Sequence, residues 1–279
     1  MKKTARILIL AVFAIVAASP VIFLLAGTFM SNREIMENIS PVLEKEKGYA
    51  GWSFIPQYPT MRNIVELLLD SPEFFKMFWN SIKITFCTLA GQLSLGMTAA
   101  WGMSRYNFRG KKFIYMLYIL MMMMPFQVTM LSEYLVLDRL KLLDTSAAVI
   151  LPSMFSTFSV FIMYRFFSGI PDSILEAARI DGAGEVQIFL KIGIPLGSSG
   201  IISAAVLSFL ECFSMIEQPM TFMESKNLWP LSLFLPEVNK NNAGFSLCAS
   251  FTALLPAVFV FLAGQDYLEQ GISASASKE

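Results

Sequence analysis

Histidine is missing altogether from this 279-residue chain. That removes the one side chain whose ordinary pKa lies near neutrality, and with it histidine general bases, histidine metal sites and Ser-His triads. Cysteine is nearly missing too. Cys87, Cys212 and Cys248 lie far apart, within or beside apolar runs. They suit small buried hydrophobes rather than a disulfide framework or a metal cluster. Charge is scarce: 15% of residues are charged and 55% are hydrophobic, where a soluble domain carries about a quarter charged. Lys+Arg and Asp+Glu are both 21, so the net charge is zero and there is no nucleic-acid footprint. A phosphate loop is absent as well, because Gly110-Lys111-Lys112 has no upstream glycine at the right spacing and no Ser or Thr after the lysine. Nor are there the internal inverted repeats expected of many secondary transporters.

What the chain does have is six long apolar runs, which read as an all-α membrane protein with six transmembrane helices. The first, 7–29, follows Lys2, Lys3 and Arg6 and is long enough to span. A cleaved signal peptide is the alternative, with Ala17-Ala18-Ser19 as its site, but Pro20 directly after it argues against cleavage. A polar outer loop, 31–76, contains Gly48, Trp52, Pro56 and Pro59 and is expected to hold short helices. The later runs cover about 78–103, 113–131, 147–167, 197–216 and 245–264. Pro125 is placed to kink the third, with 133–144 as a short outer loop. The loop between the fifth and sixth runs carries Trp229-Pro230 and a polar Asn239-Lys240-Asn241-Asn242 tip, and 265–279 reads as a mobile polar tail. Basic residues concentrate at Lys2, Lys3, Arg6, then Arg105, Arg109, Lys111, Lys112, then Arg165, Arg179, Lys191. The positive-inside rule puts those segments and both termini in the cytoplasm. The second run carries Ala90, Ser94, Thr98 and Gly102 at four-residue spacing, and Gly96-x-x-x-Ala100 beside them. Small residues so spaced let membrane helices approach closely.

The polar island between the fourth and fifth runs is the most informative stretch. Pro171, Asp172 and Ser173 read as a helix start, Ser173-x-x-Glu176 has capping-box spacing, and Gly182 reads as the stop. Ile174, Ala177 and Ala178 share one face of that short helix, with Glu176 and Arg179 spaced to pair at i,i+3. A second helical run covers about 185–191, before Pro195. Glu176-Ala177-Ala178, then Asp181-Gly182, then Ile192 and Pro195 resemble the EAA loop of binding-protein-dependent ABC permeases. The one departure is Ile194 where leucine is usual, which keeps volume and apolarity. The likeness extends over about 74–271. Leu151-Pro152-Ser153, Ile170-Pro171 and Gln127-Val128 are most similar to sugar-importer permeases of the oligosaccharide and maltose type. Where that group often shows Trp-Asn and then Trp-Pro, this chain has Phe213-Ser214 and Gln218-Pro219, and only the proline is retained.

The resemblance implies a single transmembrane permease domain over 1–279, a subunit rather than an enzyme, in the plasma membrane of a bacterium. It implies that Glu176, Ala177, Ala178, Arg179, Asp181, Gly182, Ile192 and Pro195 form a cytoplasmic coupling helix that docks into an ATPase. Expected partners are a second homologous permease subunit, two ATPase subunits, an extracytoplasmic solute-binding protein and membrane lipid. No cofactor is expected on this chain, since ATP and magnesium belong to the ATPase. Apart from the resemblance, Glu211 is an ionisable residue at membrane depth, costly unless it faces water or a partner. Glu211, Gln127, Ser156, Ser214 and Gln218 are the candidates for a polar path. The span-four hydroxyls, including Ser153, Ser156 and Ser159, are expected mostly to bond carbonyls of their own helix. Met121 to Met124 are expected to serve mainly as apolar packing. The solute is expected to be a sugar. Glycerol phosphate, a polyamine, or an ion-coupled transporter that uses Glu211 are the alternatives.

Overall fold

The computed structural model describes residues 2–43, 49, 51, 53–234 and 242–276. Gly48, Trp52, most of the Asn239–Asn242 tip and the last three residues of the tail lie outside them. The described residues are helical or irregular, with no strand. In order the helices are α1 Lys2–Phe29, α2 Asn32–Leu43, α3 Arg62–Leu69, α4 Pro72–Arg105, α5 Lys111–Met122, α6 Phe126–Arg139, α7 Ser146–Ser153, α8 Thr157–Ser168 and α9 Asp172–Ile180. They continue with α10 Glu185–Ile188, a π-helical turn Phe189–Gly193, α11 Ile194–Leu196, α12 Ser198–Phe213, α13 Glu217–Phe222 and α14 Ala243–Ala276.

Among the described residues, three helical stretches are long and apolar enough to cross a membrane: Thr4–Thr28, Ser146–Ser168 and Ala243–Glu269. Two bent pairs bring the number to five if each counts as one span. One is α5 with α6, bent by 100°, and the other runs from Glu185 through Leu196 into α12, bent by 71°. The 34 residues of α4 reach about 50 Å at 1.5 Å per residue, ample length for a span, although Lys83, Asn80 and Gln92 make it less apolar.

The third run therefore departs from expectation. It is two helices at a wide angle, not one kinked helix, and 133–139 is helical rather than loop. Pro125 holds φ −71° and ψ 150° ahead of α6. Its missing amide and its restriction on Met124 end one helix and start the next. The C-terminal stretch also differs, since α14 stays helical to Ala276.

The chain forms two compact units. The first, Met1–Lys76 with Phe234–Leu255, turns much of the polar outer loop into ordered structure. Buried Asn63 donates its amide to the carbonyls of Thr28 (3.1 Å) and Met30 (2.8 Å). Buried Glu34 accepts from the backbone amides of Gln57 (2.7 Å) and Tyr58 (3.3 Å). Asn32 accepts from the amide of Gly244 at 2.7 Å. These bonds satisfy polar groups that would otherwise be costly beside the apolar cluster of Ala26, Met30, Ile35 and Ala243.

The second unit is Met77–Leu233 with Pro256–Glu279. One of its cores joins Ile84, Leu137, Val149, Ile150, Phe222 and Met223. The other joins Trp101, Met103, Met163, Phe167, Ile170, Leu175 and Ile188. Gly96 sits where a Cβ would come 2.6 Å from Met163, so the Gly96–Ala100 face of α4 is a packing face within the chain. Ala90, Ser94 and Thr98 lie on an exposed face instead. Ser203 donates to the carbonyl of Tyr267 at 2.8 Å, tying α12 to α14.

Candidate functional site: a keyed surface helix and a polar cavity

The polar island folds as a helix, a reversal and a second helix. Gly182 stands at φ +85°, left-handed geometry that glycine adopts without the cost a side chain imposes. The Ala183 amide reaches the Ala178 carbonyl (3.0 Å) and the Gly182 amide reaches Arg179 (3.0 Å). That pair of bonds is a Schellman closure, which absorbs carbonyls left over at the end of α9.

Two details of the sequence reading change. Ser173 makes no cap to α9, whose N-cap position is Pro171 without a side-chain bond. Asp172 instead faces Arg105 at 2.9 Å. Arg179 pairs not with Glu176 but with Glu185, at 2.7 Å from Nε and 3.4 Å from Nη2. The reversal at Gly182 brings Glu185 back over α9, so this bridge braces one short helix against the other. Glu185 is held below the usual carboxylate range chiefly by the Arg179 hydrogen bond, and Arg179 is raised by the same bond. Tyr106 donates to Glu185 at 3.2 Å. Its phenol is raised, first by desolvation and then by that carboxylate.

The anchor of α9 is Leu175, 1% exposed, and that of α10 is Ile188, fully buried. Full burial of such side chains contributes about 1.5–3 kcal/mol each. Ala178 packs beside them, whereas Ile174 and Ala177 face outward, so the three do not share one environment. Ile174, Ile180, Val186 and Leu190 are exposed on the same helix–turn–helix, along with Glu176 and Asp181.

Arg105 locks this unit to the long helices. Its guanidinium donates to the carbonyls of Phe167 and Ile170 (2.9 Å to Ile170), pairs with Asp172, and lies 5.3 Å over the Trp101 ring. Burial lowers its pKa from the ordinary arginine value, and Asp172 opposes that shift. Trp101 meets Phe167 and Phe189, each at 5.4 Å between ring centroids. Gly193 closes the π-turn beneath Trp101, where a Cβ would sit 2.6 Å from the indole. Ile192 packs against this cluster, and Pro195 is exposed within α11. Such π-turns recur at functional places in helices.

A second feature lies at the breaks between helices. A cavity of about 300 Å³ is lined by polar Gln92, Thr129, Glu133, Ser153, Ser156, Thr157, Glu211 and Gln218, and by apolar groups including Phe126, Phe155 and Phe158. The sequence candidates Glu211, Ser156 and Gln218 meet there. Gln127 does not; its amide donates to Glu217 at 2.6 Å. Ser214 does not either, because its hydroxyl returns to the Leu210 carbonyl at 2.6 Å.

Of the span-four hydroxyls, Ser153 and Ser159 work across helices, and Ser156 caps its own. Ser153 donates to Gln218 (2.8 Å), Ser159 lies 2.8 Å from the Ser208 hydroxyl, and Gln92 donates to the Ser153 carbonyl (2.7 Å). Ser156 accepts from the Ser159 amide at 3.4 Å, capping α8. Met121, Met122 and Met124 line the cavity instead of filling a core. Gln92, Thr129 and Glu133 had no distinguishing sequence signal. Only the turn between α5 and α6 brings Glu133 to the same space as Glu211.

Described residues that are helical, with membrane-length apolar helices, a polar cavity and a braced short-helix unit at the surface, have the architecture expected of a membrane transport subunit. Residues 92–274 match the family described as the binding-protein-dependent transport system inner membrane component, and this chain belongs to that family. It is 26% identical over 271 residues to the arabinooligosaccharides transport system permease protein AraQ of Halalkalibacterium halodurans, covering 96% of this chain and 94% of that one. It is 24% identical over 245 residues to the sn-glycerol-3-phosphate transport system permease protein UgpE of Escherichia coli, covering 84% and 87%. Its fold is similar to a chain of a bacterial ABC transporter involved in import of the acidic polysaccharide alginate. There the TM-score is 0.79, with 21% identity and 95% of each chain covered.

Proposed function

We propose that this permease is one half of the translocation path of an ATP-driven importer for a sugar, most similar in its solute to the oligosaccharide relatives. One observation supports this most directly. The α9–α10 unit presents an exposed apolar and acidic face while Leu175, Ile188 and Arg105 fasten its other side to α4 and α8. A surface helix fastened in this way transmits a push to the long helices instead of deforming under it. In this reading exposed Glu176, Ala177, Asp181 and Gly182 meet a cleft of a separate ATPase, while Ala178 packs inward and lets α9 sit close to the long helices. Arg179 braces the unit, and Ile192 and Pro195 carry the movement into α12.

The rest of the assembly follows from that role. The chain works as a single six-span domain with both termini and the α9–α10 unit on the cytoplasmic side, α4 counting as a span. A second permease subunit completes the path, two ATPase subunits bind and hydrolyse ATP with magnesium, and an external binding protein delivers the solute. Nucleotide-driven closure shifts the balance between inward-open and outward-open forms. This chain needs no cofactor of its own.

Gly182→Val tests the lever. Nothing lies within 4 Å of a Cβ there, so the penalty comes from backbone geometry, about 1–2 kcal/mol. The expected outcome is normal membrane assembly with uptake reduced at least roughly tenfold, a 1.4 kcal/mol change in coupling being one decade. Uptake by the reconstituted importer at the native rate would remove the coupling role of this loop.

A further inference from the structure

Beyond identifying a sugar importer, the cavity carries a charge signature. We infer that the solute held by this subunit is neutral or carries a cationic amino group, and that anionic solutes are rejected. The inference rests on the sugar reading above and narrows it.

Among the described residues, Glu133 and Glu211 are the only charged ones that line the cavity, and no lysine or arginine does. The Glu133 Oε2 atom is buried and has no hydrogen-bond partner. Glu211 has no ion-pair partner among the described residues. The nearby helix ends do not offset these charges. α5, α7 and α12 bring their C-terminal ends to the space, and α6, α8 and α13 bring their N-terminal ends. Their opposed dipoles largely cancel, which leaves two carboxylates to set the field.

Of the remaining polar groups, Gln92, Ser153 and Gln218 are already linked to one another by hydrogen bonds. Sugar hydroxyls can join such a network as donors to the carboxylates and as acceptors from the amides. An anionic group would face like charge with no cation to meet it, whereas an ammonium would find two unpaired acceptors. The similar transporter that imports acidic alginate handles solute of the opposite kind, so a shared fold does not carry a shared preference.

The test measures equilibrium binding to the complete, detergent-solubilised importer complex without its binding protein. The probes are arabinotriose, the same sugar oxidised at its reducing end to a carboxylate, and the same sugar reductively aminated to carry one ammonium. In the native complex the amine probe should bind at least as tightly as the neutral one, and the carboxylate roughly tenfold more weakly, as expected for like charges in a partly desolvated site. In Glu133→Gln/Glu211→Gln the three affinities should converge to within about twofold. Glu133→Asp/Glu211→Asp keeps the charges and should keep the native order, which separates charge from folding. Equal binding of neutral and carboxylate probes to the native complex, or an unchanged order in the glutamine variant, overturns the charge inference and leaves the sugar reading standing. Binding of none of the three probes overturns the sugar reading itself.

Discussion

At the scale of single residues, Arg105 does the most structural work for its size. Its guanidinium meets two backbone carbonyls, one carboxylate and one indole face. A lysine offers a single point of charge and cannot occupy that fork. Because Asp172 is exposed, solvent screens the ion pair, and the two carbonyl bonds carry most of the effect. Arg105→Ala should lower the stability of the assembled complex by about 2 kcal/mol, with Arg105→Lys recovering less than half. A thermal unfolding series on the purified complex checks this, and equal melting of all three proteins would refute it. In the sequence Arg105 was legible only as one of several basic residues near a helix end. Trp101 is a local i,i+4 neighbour, but the carbonyl and carboxylate partners lie more than sixty positions away, and no local period points to them. Arg179 is a similar case. An i,i+3 partner is the natural local reading, but the turn at Gly182 supplies a better acceptor in Glu185.

At the scale of elements, the reversal around Gly182 was readable because backbone geometry demanded it. A polar start, a short helix and a glycine stop are local signals, and α9 follows them. The α5–α6 bend was only half readable. Pro125 marked the place, but a proline in a membrane helix is compatible with a shallow kink or a full break. The polar and aromatic neighbours that decide between these lie in other segments. That bend also explains why part of the cavity went unseen, since it carries Thr129 and Glu133 to Ser156 and Glu211. The π-turn at Phe189–Gly193 links the surface unit to α12 and fits closely under Trp101. Gly193→Val should force Trp101 aside and break the linkage at that joint. Overpacking of this kind costs about 1–3 kcal/mol. ATP hydrolysis by the reconstituted complex should continue while uptake per ATP falls several-fold; an unchanged ratio would show that force does not pass through this turn.

At the scale of the whole molecule, composition excluded most chemistry before any fold was considered. With no histidine and no phosphate loop, histidine-based chemistry and a nucleotide-binding phosphate loop are excluded for this sequence. Family membership over 92–274 agrees with a permease role. The long apolar helices were legible as runs, because lipid demands them. Short helices in the outer loop were expected and α2 and α3 are there, but their anchoring was not legible, because Asn63 and Glu34 act through backbone groups that composition does not reveal. The central claim is that force from a separate ATPase enters through the exposed face of α9. The most direct measurement replaces the three native cysteines, introduces Ala177→Cys, and crosslinks it in native membranes to cysteines placed in turn across the ATPase cleft. The account predicts a crosslink formed from the cytoplasmic side that abolishes uptake until it is reduced. Labelling of that cysteine by an impermeant reagent from outside the cell, or undiminished uptake with the crosslink in place, would contradict it.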